Sequence, residues 1–315
     1  MNLLRRLHPQ GPPIEELPSP PGPPPVIVLD ASLVKAAIKK CANGAGPSPS
    51  GWTGDLLVAL AADKSCSDAI EVLVEDLVNA RLGPDISKLL RLSLLSALRK
   101  DGTHVPRPVA NGEIFTKLAS MYLILHVGKG PILDALPSIQ FSLREGGSEL
   151  AVHLIQSWID SAREPSLLIS ADASNAFNDR DRAQILEALF ACEDLKPFFL
   201  YASWLYGVPS LLLYRMASGA FEVLASSNGV RQGCVLASLL YCLSMQRTYT
   251  ASVASRPVRA ASITDDFYLF GATQQALAAF DSYEAKLRTD NAGIQLNASK
   301  MWAILGCPRW GVPPS

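Results

Sequence analysis

Ala260-Ala261-Ser262-Ile263-Thr264-Asp265-Asp266-Phe267-Tyr268-Leu269-Phe270-Gly271 is the stretch on which the fold turns. Two apolar runs of strand character are interrupted by adjacent acids, which predicts a β-hairpin with both carboxylates at its tip. Like charges side by side repel and raise each other's pKa unless a cation is near. Taken alone, the pair is better explained as a solvated turn, where Asp is a common choice.

A second run of this kind lies upstream: Leu167-Leu168-Ile169-Ser170-Ala171-Asp172-Ala173-Ser174-Asn175-Ala176-Phe177-Asn178. An acid at the end of an apolar strand stands at the rim of a sheet, where its charge meets a ligand without crossing the core. Asp-Ala-Ser-Asn also suits a helix cap or a turn. If the two strands pair antiparallel, Asp172, Asp265 and Asp266 come together on one rim as a hard-oxygen site suited to Mg²⁺ (or Mn²⁺). Two such ions roughly 3.5 to 4 Å apart serve in-line phosphoryl transfer.

Working outward, residues 167–169 and 260–263 read as strands and 182–190 as a helix between them, giving an α+β or α/β lobe after a helical one. Helical periodicity runs from Ala31, with Leu33, Ala36, Ala37 and Ile38 on one face and Lys35, Lys39 and Lys40 on another. A further helix is predicted over 66–81, and the turn-rich stretch 46–53 separates the two. Residues 1–25 are dense in proline from Pro9 onward and are expected to be a disordered tail.

With 315 residues, of which 49% are hydrophobic, the chain can bury one large domain or two lobes. Its net charge of −1 gives no bulk basic footprint for nucleic acid, so any cationic cleft must be local. The six cysteines contain no Cys-x-x-Cys pair and have no histidine cluster beside them, which points to a reduced, intracellular protein, nuclear or cytoplasmic. No apolar run suggests a signal peptide or a membrane span.

Ser227-Asn228-Gly229-Val230-Arg231-Gln232-Gly233-Cys234-Val235-Leu236-Ala237-Ser238-Leu239-Leu240-Tyr241 lies between the two acidic runs. In that order, the three segments resemble palm motifs of the reverse transcriptases of non-LTR retrotransposons. The resemblance extends to Leu98-Arg99-Lys100-Asp101-Gly102-Thr103-His104-Val105-Pro106-Arg107-Pro108 in the fingers and to Ala45-Gly46-Pro47-Ser48-Pro49-Ser50-Gly51-Trp52-Thr53. It includes Gln140 with Gly146-Gly147-Ser148-Glu149, and Gly293-Ile294-Gln295-Leu296-Asn297-Ala298-Ser299-Lys300.

The resemblance implies an α+β right-hand polymerase fold, with largely helical N-terminal fingers and an antiparallel palm sheet flanked by helices. It implies one reverse transcriptase domain over 26–306, and an RNA-directed DNA polymerase with RNA template, DNA primer and dNTP substrates. Asp172, Asp265 and Asp266 take the metal-binding and catalytic roles, and Lys300 protonates the leaving pyrophosphate. Lys100 and Arg107 bind the triphosphate. Phe177, which could equally be core packing with Leu186, Leu189 and Phe190, becomes a gate against the ribose 2′-hydroxyl. Gln232 and Gly233 meet the nucleotide or template, because glycine permits a close backbone approach.

Ile263 stands where the family has tyrosine in Tyr-x-Asp-Asp, and Val235, Ala237 and Ser238 replace the residues usual after the glycine-cysteine pair. Only 15 residues follow Lys300, too few for a helical thumb, so 307–315 is expected to be a remnant of a fragment or truncated copy whose activity by itself is weak or absent. Two other readings share the palm: an inactive RNA-binding scaffold and an RNA-directed RNA polymerase.

Overall fold

The computed structural model describes residues 1–11, 23–42, 44–99, 105–161, 165–290 and 294–306. In chain order the strands are β1 (Ser93–Leu98), β2 (Arg107–Gly112), β3 (Ser166–Ala171), β4 (Ala173–Ser174), β5 (Ser210–Arg215), β6 (Phe221–Ser226), β7 (Val258–Ile263), β8 (Asp266–Ala272), β9 (Gln295–Leu296) and β10 (Trp302–Gly306). The chain divides into two compact units, Met1–Ala135 with Phe177–Leu240, and Leu136–Ala176 with Tyr241–Ser315.

In the first unit, the helix Ala31–Cys41 starts where the Asp30 side chain accepts from Ser32 N–H, and it buries Val34, Ala37, Ile38 and Cys41 against the helix Ile114–Val127. The next long helix, Lys64–Val78, begins two residues earlier and ends three earlier than the periodicity predicts. Asp63 caps its start. It stops at Asn79, whose amide is committed to both the N–H and the carbonyl of Ile27, and Ala80 then turns to φ +55°.

The first unit also holds a four-stranded sheet, order β2-β1-β5-β6, with β1 and β5 parallel and the other pairs antiparallel. This sheet is additional to the largely helical fingers expected. Its first strand, Ser-Leu-Leu-Ser-Ala-Leu, is built from good helix formers, so pairing partners and not local propensity decide its state.

The expected proline-rich tail begins instead with a short helix, Asn2–Leu7, formed before the first proline is reached. Its Leu4 packs into the core formed by Leu95, Ala110, Leu212 and Leu224. Arg5 is ion-paired with Glu222, and Gly11 N–H donates to Ser227 Oγ. Residues 12–22 lie outside the described residues.

The second unit is built on an antiparallel sheet of order β10-β3-β8-β7. All six residues of β3 are buried, because both faces of the sheet are covered. On one face the helix Gly147–Ser161 supplies Ala151, Leu154, Ile155 and Trp158 against Leu168, Ala261 and Phe270. On the other, Phe267 stacks on Tyr249 and meets Tyr283 of the helix Thr273–Asp290. The strand period of two sends Phe267 and Phe270 to opposite faces, and each buried ring of this size is worth about 1.5–3 kcal/mol. Among the described residues, no helix is long and apolar enough to cross a membrane.

Candidate active site

β3 and β8 pair antiparallel with Ala171 opposite Phe267, so Asp172, just past β3, and Asp266, the first residue of β8, lie at the same end of the sheet. β7 and β8 form the predicted hairpin, closed by Ile263 opposite Asp266 with Thr264 and Asp265 as its two turn residues. Thr264 has φ +58°, in the left-handed region that two-residue hairpin turns draw on and that a β-branched side chain disfavours.

Asp172 is 8% exposed and sits between β3 and β4. Pairing of β4 with β9 brings the turn after β9 up to it: Asn297 N–H donates to the Asp172 carbonyl at 2.8 Å, and Lys300 Nζ donates to Asp172 Oδ2 at 2.5 Å. Burial pushes the Asp265 carboxyl up to about 6, and the charges of Asp266 and Asp172 push the same way, against the opposing pull of Lys300.

Among the described residues, no group of three His, Cys, Asp or Glu side chains is gathered into a metal cage. The Lys300 ammonium offsets the charge of Asp172. The donor chemistry nonetheless fits a hard divalent cation, since all the ligands offered are carboxylate oxygens carrying more negative charge than one lysine offsets.

Within the first unit, the loop 229–233 is held at both ends. Gly229 N–H donates to Arg180 O at 2.8 Å and Val230 N–H to Phe177 O at 2.7 Å, while Gln232 O accepts from Ala110 N–H on β2 at 2.7 Å. Gly229 (φ +59°) and Gly233 (φ +102°) admit no side chain, because a Cβ would lie 2.1 Å from Phe177 O in the first case and 2.7 Å from Ala110 O in the second. These bonds link the backbones that carry Arg107, Phe177 and Gln232. Arg107 and Gly233 are exposed, whereas Phe177 and Gln232 are half-buried. Lys100 lies outside the described residues.

The sequence pattern of the family described as reverse transcriptase (RNA-dependent DNA polymerase) matches residues 99–309. This chain belongs to the reverse transcriptase family. The Retrotransposable element SLACS 132 kDa protein of Trypanosoma brucei gambiense is 31% identical over 239 residues, 76% of this chain and 19% of that protein. The reverse transcriptase is thus of the non-LTR retrotransposon type, and it spans about a fifth of the length of that relative.

Among solved structures, apo telomerase from Candida Tropicalis aligns with TM-score 0.53 at 10% identity, over 71% of this chain and 45% of that one. Telomerase from Candida albicans in complex with a fragment of telomeric RNA gives TM-score 0.53 at 10% identity, over 71% and 44%. At that identity the likeness concerns the fold, which is that of polymerase fingers and palm.

Two buried residues that hold loops of the first unit carried no signal in the sequence. Glu113, 3% exposed, accepts from Ser50 N–H and Ser50 Oγ, both at 2.7 Å, and so ties the stretch 46–53 to the end of β2. Arg182, 2% exposed, opens a helix whose amphipathic pattern gave it no special role. Gln140 was visible only as part of the family resemblance.

Proposed function

We propose that this domain adds deoxynucleotides to a primer 3′-hydroxyl on an RNA template, with Asp172, Asp265 and Asp266 holding two Mg²⁺ (or Mn²⁺) ions. The observation that carries this reading is the pairing of β3 with β8, which sets Asp172 beside the acidic turn at one end of one sheet. When bound, such ions lower the pKa of the attacking hydroxyl and hold the leaving pyrophosphate.

The chain's own residues bind and orient. Arg107 grips the triphosphate as a forked cation, and Lys100 adds a point charge to its binding. Phe177 stands against the sugar and excludes a 2′-hydroxyl, and Gln232 with the backbone around Gly233 meets the base or the template. Lys300 releases Asp172 and gives a proton to the departing pyrophosphate oxygen.

The test is Mg²⁺-dependent incorporation of dNTPs on a primed RNA by wild type and by Asp265→Asn, a near-isosteric change that keeps the turn. Incorporation falling to background in the variant is expected, and equal incorporation by both would overturn the reading. Phe177→Ala is expected to admit ribonucleotides that the wild type rejects.

A further inference from the structure

We propose that Arg182 is a positioning residue for nucleotide binding: its buried guanidinium clamps the entry of the loop 229–233, so that Gln232 is presented in a fixed place. This rests on the reading that Gln232 meets the incoming nucleotide or its template base.

The guanidinium uses all five of its N–H donors. Nε donates to Gly229 O at 2.9 Å. Nη1 donates to Tyr206 O and Val208 O, each at 3.3 Å, and Nη2 to Ser226 Oγ at 2.9 Å and Asn228 O at 3.4 Å. Three of the five acceptors belong to 226–229, the segment that leads into the loop. Gly229 is therefore held from both sides, its carbonyl by Arg182 and its N–H by Arg180 O.

A buried charge without a countercharge is costly. Among the described residues, Arg182 has no carboxylate partner, only carbonyl and hydroxyl oxygens. Arg231, itself in the loop and 4% exposed, lies over the same Tyr206 ring, with guanidinium-to-centroid distances of 5.2 Å for Arg182 and 5.3 Å for Arg231. Arg231 is tied in turn to Arg91 O at 2.8 Å and Ser93 Oγ at 3.1 Å. Burial pushes the Arg182 guanidinium down to about 9, which marks the cost of keeping it there. Lysine, with three donors at one point, cannot reproduce the five-acceptor fork.

The experiment compares full-length wild type with Arg182→Lys in two ways. By amide hydrogen exchange, the N–H groups of Gly229 and Val230 should exchange at least about tenfold faster in the variant, with β3 and β8 unchanged. In steady-state incorporation, KM for dNTP should rise about tenfold with kcat within about twofold, because binding is lost and not the active fraction.

Unchanged exchange at 229–230, or a fall in kcat with KM constant, would overturn the clamp. Should Arg182→Lys fail to fold, Ser226→Ala removes a single acceptor and is expected to move both readouts the same way by about two- to threefold; no movement in either overturns the proposal. A wild type that incorporates nothing sinks the polymerase reading while the exchange arm still decides the clamp.

Discussion

The side-chain oxygen of Gln140 accepts the backbone N–H of Thr264 at 3.2 Å, and so fixes the turn that carries Asp265. The same oxygen accepts Ser142 N–H at 3.0 Å, and the Tyr249 hydroxyl donates to the Thr264 carbonyl at 3.0 Å, so the peptide groups on both sides of the turn residue are held. Gln140 is 1% exposed. In Gln140→Leu the Thr264 and Ser142 N–H groups lose their acceptor, which is expected to cost roughly 1–3 kcal/mol. Urea unfolding should show a lower midpoint at unchanged slope, and incorporation should fall further than the folded fraction does.

Thr264 pays for its place in the hairpin with a φ of +58°. Asparagine adopts that conformation more easily, since its side chain is not branched at Cβ. Thr264→Asn is expected to stabilise the protein by about 0.5–1 kcal/mol, raising the thermal midpoint by roughly 1–3 °C. Calorimetry checks it. A midpoint lower than wild type would mean that the threonine side chain contributes more than its backbone costs.

The palm strands were legible because short apolar runs broken by acids leave few alternatives: β3 and the β7–β8 hairpin lie where the pattern put them, and so does the helix Arg182–Phe190. The first unit's sheet was not, since leucine and alanine in β1 favour helix until β2 and β5 are there to pair with it. Asn2–Leu7 was masked by the prolines that follow it. The environments of Arg182 and of Lys300 depend on partners up to 47 and 128 residues away, and mostly on backbone carbonyls in the case of Arg182, which no local pattern encodes. Arg107 and Gln232 acquired meaning only from the family resemblance, whereas the bond from Ala110 N–H to Gln232 O is tertiary.

Glu113 offers two oxygens to Ser50 from a position 3% exposed, at the start of the helix Ile114–Val127. Glu113→Ala leaves the Ser50 N–H without its acceptor and the Ser50 hydroxyl with Ser48 Oγ, at 3.0 Å, which loosens the stretch 46–53. Hydrogen bonds to a charged acceptor are worth about 1.5–3 kcal/mol, so a loss of that order is expected in urea unfolding. Glu113→Gln, which keeps one acceptor, should lose about half as much. Identical stability of Glu113→Ala and wild type would show that the stretch is held by other contacts, such as that of Trp52 with Phe115.

His8 follows the N-terminal helix, and burial, with the Arg182 charge beside it, pushes its imidazole down to about 4 from an ordinary 6.5. The folded state therefore prefers the neutral ring, and between those two values the unfolded chain binds more protons. Stability is then complete above about 6.5 and declines as pH falls through the window to about 4, by up to roughly 3 kcal/mol from this group. His8→Phe should flatten that part of the stability profile measured by urea unfolding from pH 7 to pH 4. A profile as steep as that of wild type would place the pH dependence elsewhere.

Lys300 holds Asp172 through a contact of 2.5 Å, with the lysine side chain 43% exposed and that of the aspartate 11%. A divalent cation arriving at Asp172 must displace this ammonium, and a half-exposed pair of this kind is worth about 0.2–1 kcal/mol. Lys300→Gln removes the competing charge. Mn²⁺ affinity, followed by calorimetry or electron paramagnetic resonance, is thus expected to tighten about 1.5- to 5-fold, while kcat for incorporation falls by about 10²–10⁴ if the proposed proton donor is gone. The opposite signs of the two effects separate this account from simple loss of structure, which would weaken both. Unchanged Mn²⁺ affinity would mean that lysine and metal do not share Asp172, and the proton-donor role would then have to be judged from kcat alone.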